Sequence, residues 1–245
     1  MKPRALLAFA AAAILVACGS SSSAGSGASA EDIAFYAGTI QVNPAAGATL
    51  PISKIQEIRQ VSGVKTAFPV YLFDARTGQV EAAGVIAADS IIASDPTEAA
   101  WSSLKTDYGQ GHAIDADSSG EVVLGSAIAK ELNKKVGDSI DLPLNPQSGA
   151  ASHSFKVVGV LDETHTAPDR FAYVNITDGQ MLLKDALPAA QREQVDVTAA
   201  ATAIDVYAKG GASIDELDNL ADQINKQVTG VNAIKPSRLV DSLKK

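Results

Sequence analysis

Cysteine is almost missing: the 245 residues contain one, Cys18. A lone thiol excludes an internal disulfide and a thiolate metal site. Aromatic residues make up only 5% of the chain, so a core must be built from Ala, Val, Ile and Leu. Basic residues are outnumbered, 20 against 28 acidic ones, leaving a formal charge of −8. That balance argues against nucleic acid, whose phosphates need clustered Lys and Arg. It suits a soluble extracytoplasmic surface. The three histidines, His112, His153 and His165, form no H-x-x-x-H, so zinc spacing is missing too. No G-x-x-x-x-G-K-[ST] occurs, which rules out a P-loop ATPase. The chain also lacks an apolar run of the roughly 20 residues that cross a bilayer.

The longest apolar run, Ala5–Ala17, has 13 residues and follows Lys2 and Arg4. Such an arrangement is a targeting segment, to be set aside before the fold is read. It ends in Leu15-Val16-Ala17-Cys18-Gly19, which looks like a bacterial lipobox. Residues 1–17 are then a lipoprotein signal peptide, and Cys18 receives palmitate-type acyl chains. Two or three chains anchor stably where one does not. The alternative is an ordinary signal peptide or signal anchor with an incidental Cys. Residues 18–34, rich in Ser, Gly and Ala, form a flexible tether. Cleavage would remove Lys2 and Arg4 and take the charge from −8 to −10. The expected location is the cell envelope, lipid-anchored on the extracytoplasmic face (periplasmic or extracellular) of a bacterial membrane.

A decapeptide organises the remainder. Gln60–Pro69, QVSGVKTAFP, returns as Gln227–Pro236, QVTGVNAIKP, with five of ten positions identical. Before the first copy, Ile52, Ile55, Ile58 and Val61 make one helical stripe, with Pro51 suited to its first turn. Before the second, Ser213 and Glu216 form a capping box, and Ile214, Leu217, Leu220, Ala221, Ile224 and Val228 keep helical spacing. Gly63 and Gly230 fit the left-handed position past a helix end. Strands are expected at Thr39–Val42, Val64–Phe73, Gln79–Ala88, Ala203–Ala208 and Val231–Lys235, the second and third forming a hairpin. In between, strands are expected at Glu121–Leu124, Ile140–Leu144, His153–Leu161 and Phe171–Asn175. Short helices are expected at Ser126–Leu132 and Asp178–Asp185.

The spacing therefore predicts an α+β fold: a discontinuous ferredoxin-like (porter-type) α/β sandwich with an inserted β-rich subdomain. Residues 35–91 plus 200–240 form the porter-like unit and 92–199 the insert. The two decapeptides should lie on neighbouring elements of one sheet.

Four segments carry a family resemblance. Gln60–Pro69, Val122–Leu132, Val136–Ile140 and Phe155–Leu161, in that order and spacing, resemble the periplasmic core domain of MacB-type and FtsX/LolC-type ABC transporter permeases. The resemblance covers roughly Gly38–Pro236 and implies a split porter subdomain carrying a β-rich insert. In those permeases the domain sits between transmembrane helices. Here a lipobox stands in place of the first, and no further apolar helix precedes Lys245. The resemblance thus implies a stand-alone lipoprotein, ABC transporter-associated, with a permease or adaptor protein as possible partner.

Little in the chain reads as chemistry. Asp115, Asp117, Ser119, Gly120 and Val122 imitate a calcium loop, but its last position is Ser126 rather than Glu, so a solvated turn is expected. Gly125-Ser126-Ala127 is not a nucleophile elbow, and the resemblance gives it a structural role at a helix start. Asp162, Glu163 and Asp169 read as solvated loop carboxylates. No catalytic residue, no metal and no cofactor is expected. The Asp162–Arg170 loop, with His165, Pro168, Asp169 and Arg170, is either a partner-contact loop or a variable solvent loop. The function expected is a non-enzymatic, lipid-anchored module that docks a permease or adaptor or handles cargo beside an ABC transport system. The alternative is a stand-alone solute- or lipid-binding lipoprotein, which would show an apolar cavity between the subdomains.

Overall fold

The computed structural model describes residues 37–47, 49–81, 89–102, 106–146 and 151–243. Chain order begins with β1 (Ile40–Pro44), β2 (Leu50–Pro51), α1 (Lys54–Arg59) and β3 (Val64–Asp74). The middle holds β4 (Ser90–Ser94), β5 (Tyr108–Gly111), β6 (Glu121–Leu124), α2 (Ser126–Glu131), β7 (Ser139–Leu142), β8 (His153–Leu161), β9 (Phe171–Val174) and α3 (Ile176–Ala186). The chain closes with β10 (Ala200–Ala201), β11 (Ala203–Ala208), α4 (Ile214–Gln227), β12 (Val231–Ala233) and α5 (Pro236–Leu243). None of the described helices is long and apolar enough to cross a membrane.

Strands from both chain ends and from the middle share one ten-stranded sheet, ordered β12-β1-β11-β3-β4-β9-β6-β8-β5, with β7 also paired to β8. Its first four strands are antiparallel neighbours. With α1 joining β1 to β3 and α4 joining β11 to β12, this is the ferredoxin-like arrangement. The decapeptides behave alike where they coincide. Gly63 and Gly230 take φ of +99° and +78°, and a strand begins at the next residue each time. The copies part at their ends: Pro69 lies within β3, whereas Pro236 opens α5.

Several local expectations are corrected. The two decapeptide strands, β3 and β12, share the sheet but are not neighbours, because β1 and β11 lie between them. Pro51 belongs to β2, which pairs with β10, and α1 starts only at Lys54. The expected turn back from β3 is present as far as it is described, with Val80 bridged antiparallel to Phe73, the Asp74 N–H donating to the Gln79 carbonyl and the Glu81 N–H to the Leu72 carbonyl, while β4 is a further antiparallel partner that was not expected. Residues 82–88 lie outside the described residues. Two elements were not expected: helix α5, whose Leu239, Val240 and Leu243 keep helical spacing behind Pro236, and strand β5, whose YGQG has no apolar alternation.

Alternation along the strands sorts the core into two sides. Ala67, Tyr71 and Phe73 of β3, Ile204 and Val206 of β11, and Ile91 and Ala93 of β4 face the helices. Ile55, Ile58, Leu217, Leu220 and Ile224 cover the porter end of this side. Leu182 and Leu183 of α3 and Ile128 of α2 cover the rest. Gly179 lets α3 approach β4 closely: a Cβ there would stand 2.4 Å from the Cβ of Ala93. The opposite residues, Val70, Leu72, Ile92 and Val123, are buried or half-buried beneath another cover.

Candidate functional site

That second side carries a cavity of about 390 Å³. Its floor is a row of cross-strand partners. Leu72 lies opposite Ile92, Ile92 opposite Tyr173, Tyr173 opposite Val123, and Val123 opposite Gly159. The row runs through β3, β4, β9, β6 and β8, so one apolar surface extends from a strand near the chain's start into strands of its middle. The roof comes from residues 95–102 and 106–114, with Leu239 of α5 at the margin. Gly159 lets the roof descend: a Cβ there would meet the carbonyl oxygen of His112 at 2.5 Å and the Tyr108 ring at 3.1 Å.

At one end of the floor stands a pair of carboxyl groups. Glu98 is on a 3-10 turn, Pro96–Ala100. Asp95 caps this turn by accepting from the Thr97 N–H at 2.8 Å, and Pro96 supplies its fixed φ. The turn directs Glu98 inward, where it is only 6% exposed. Asp205 comes up from β11, and the two side chains are hydrogen-bonded. The Tyr207 hydroxyl donates to Glu98 Oε1 at 2.9 Å. Ser94 also bonds Glu98, and Thr39 bonds Tyr207. Asp205 retains some surface toward the cavity while protein surrounds it on its other sides.

Two carboxyls in hydrogen-bond contact, largely out of water, resist double ionisation. Burial pushes Asp205 up to about 6. Glu98 is raised well above the carboxylate range, first by burial and then by the charge of Asp205. The Tyr207 hydroxyl is raised by burial and by both acids, so it stays a neutral donor. Among the described residues, no Lys, Arg or His lines the cavity. Chemically the site can share a proton, accept hydrogen bonds and receive a cation. Trp101 follows the turn, 39% exposed, with its ring centroid 6.3 Å from that of Tyr207.

Neither acid is legible as a site residue in the sequence. Asp205 sits in AIDVYA, where it reads as an outward polar residue of an alternating strand. Glu98 falls in a mixed Ala/Trp segment without periodicity. The only local hint is the Asp95-Pro96 turn start ahead of an isolated Glu.

The residues singled out from sequence fall elsewhere. Cys18 lies outside the described residues. In the Asp162–Arg170 loop, His165 is exposed with φ of +57°. Pro168 and Asp169 are buried. Asp169 holds the loop together, accepting from the Thr164 N–H at 2.9 Å and the His165 N–H at 2.7 Å. Arg170 is ion-paired to Asp89 and Glu131, alongside Arg76. Glu163, His165 and Asp169 offer ligand atoms within 4.8 Å of one another, but the oxygens of Asp169 are already engaged by the loop. His153 Nε2 lies 2.5 Å from Asp185. Ser118 closes the Asp115–Glu121 turn onto the Asp115 carbonyl and Glu121, and Gly120 donates to Asp178. Gly125 forms the N-cap of α2.

Comparison with known proteins agrees with the fold. Residues 6–224 match the family model of the MacB-like periplasmic core domain, and the chain belongs to that family. The match stops within α4, short of the second decapeptide strand. The periplasmic region of MacB from Actinobacillus actinomycetemcomitans is similar over 86% of this chain and 95% of its own, at TM-score 0.51 and 13% identity. The extracellular domain of the noncanonic ABC-type transporter YknZ from Gram-positive bacteria covers 80% of this chain and 99% of its own, at TM-score 0.44 and 13% identity. No curated protein matches the chain.

Proposed function

We propose that this member of the MacB-like periplasmic core domain family is a non-enzymatic extracytoplasmic module working beside an ABC transport system, where it holds cargo at the membrane surface. One observation carries the reading. The sheet face shared by porter and insert strands is not packed solid but roofed over a cavity with a buried acidic end. A protein that served only as a rigid spacer would gain stability by filling that space. In this reading residues 35–91 with 200–240 are the body, and 92–199 are an insert that supplies most of the roof. Lipidation of Cys18 tethers the module, and residues 18–34 give it reach. A partner permease or adaptor would meet the outward part of the Asp162–Arg170 loop, where His165 and Glu163 are exposed.

The cavity also favours a second reading, a solute- or lipid-binding lipoprotein that acts without a transporter. Site-specific photo-crosslinking from position 165 in cells separates the two. Crosslinks to a permease or adaptor are expected, together with a transport defect in a deletion strain. Absence of both, with extracted small molecules still bound to the purified protein, would transfer the assignment to the second reading. Cys18→Ser is expected to abolish palmitate labelling and release the protein from the membrane fraction. Unchanged labelling would remove the lipoprotein reading alone.

A further inference from the structure

We propose that the cavity binds a small amphiphile bearing one primary ammonium group. The apolar body would lie along Leu72, Ile92, Tyr173 and Val123, and the ammonium would face Glu98 and Asp205. This rests on the cargo-holding reading of the same cavity and names the chemistry of what is held.

Three observations select this ligand. First, size: about 390 Å³ lies at the lower end of the roughly 300–1,000 Å³ of small-molecule sites, too little for a folded domain or a two-tailed lipid. Second, polarity is segregated. The in-register row of Leu72, Ile92, Tyr173 and Val123 offers no charge, while the Gln41–Asp205–Phe68 row, beyond the intervening Ala203–Val70–Ser94 row, brings the carboxylate. Third, no cation compensates the charge among the described residues. The described groups around the two acids are Ser94, Thr39, Gln41, Tyr207 and Asp95, none of them cationic. Elsewhere the fold neutralises its buried acid: Asp89, 7% exposed, takes both Arg76 and Arg170. The Glu98–Asp205 pair has to hold a proton instead. An incoming ammonium replaces that proton, which leaves to solvent, and gains charge-assisted hydrogen bonds in a site poor in water. An anionic ligand would meet two acids and, among the described residues, no cation. A neutral ligand would leave the acids as they are.

The test uses the full chain in phosphatidylcholine nanodiscs, with empty discs as the blank. The probes are n-decylamine, n-decanol and decanoate, which share a chain and differ in charge. Trp101, the single Trp of the chain, sits against Tyr207 and reports occupancy by its fluorescence. Decylamine is expected to bind at least about tenfold more tightly than decanol, and decanoate least, as charge-assisted bonds imply. Calorimetry of decylamine at pH 6 in buffers of different ionisation enthalpy should show proton release. In Glu98→Gln and Asp205→Asn the amine preference and the proton release should fall away while decanol still binds, which shows that the cavity is intact. Equal affinities for amine and alcohol, tighter binding of decanoate, or a preference that survives both substitutions would overturn the proposal. So would a Trp101 signal that no probe moves. That last result would leave the transporter association standing, because the crosslinking from position 165 tests it separately.

Discussion

The Asp205 carboxyl is held in a place that its ionised form disfavours, so the fold depends on pH through this residue. Burial raises it from an ordinary value of 3.8 to about 6, while in the unfolded chain it returns to the ordinary value. Between these two values the folded protein binds more protons than the unfolded one. Stability from this group is therefore fully present below about pH 4 and is lost as pH rises through about 6. Glu98 contributes with the same sign. Melting temperatures of the native protein and Asp205→Asn, measured from pH 4 to 8, should converge in acid. The native protein should lose about 2–3 kcal/mol relative to the variant by pH 7. Parallel profiles would show that Asp205 is no less comfortable ionised than it is in water. The acid pairs at Arg76 and Glu131 run oppositely, with Glu131 lowered first by its bond to Arg76, and they cancel in this comparison.

At the scale of elements, close backbone approach matters more than propensity. The start of α2 is pressed against the 3-10 turn Ala167–Arg170, and Gly125 is the point of contact. A Cβ there would stand 2.2 Å from the Pro168 carbonyl oxygen and 2.5 Å from the Asp169 carbonyl carbon. Both are backbone atoms and cannot swing aside as a side chain could. Gly125→Ala should therefore cost about 3 kcal/mol in urea denaturation, at the upper end for overpacking. A loss below about 1 kcal/mol would mean that the turn shifts freely. The structural role that the resemblance implied for Gly125 has this more specific cause. The resemblance anticipated its role but not its neighbour. The decapeptide glycines act differently: Gly63 and Gly230 serve through positive φ, which the residue order of a helix end already announces.

For the whole molecule, β3 binds the parts together. Its Ala67 belongs to the core under α1 and α4, its Tyr71 and Phe73 to the core under α3, and its Val70 and Leu72 to the cavity floor. One sheet runs without interruption from β12 to β5. Neither core can be opened while β3 stays folded on the other, so unfolding should occur in a single transition. Leu124→Ala, in the middle of the chain, and Ile224→Ala, in α4, both remove fully buried side chains. Each should lower stability by about 2–5 kcal/mol. Calorimetry should show both variants shifting the same single peak. Two peaks, each moved by only one variant, would show that insert and body melt independently.

Sequence by itself determined the features that depend on residues a few positions apart. The α4 stripe and its Ser213–Glu216 capping box, the left-handed glycines and the alternating strands His153–Leu161 and Ala203–Ala208 all recur in the structure. The ordered motifs also pointed to the family. Strand order was decided only by tertiary pairing. It set the decapeptide strands apart and made β4 a neighbour of β3, because pairing depends on which apolar faces meet in three dimensions and not on distance along the chain. The site was decided the same way. Asp205 is an outward polar residue until the turn carrying Glu98 folds over it, and the Glu98–Tyr207 bond spans 109 positions. Burial of a charge depends on the cover placed above it, and the local pattern around Asp205 says nothing about that cover.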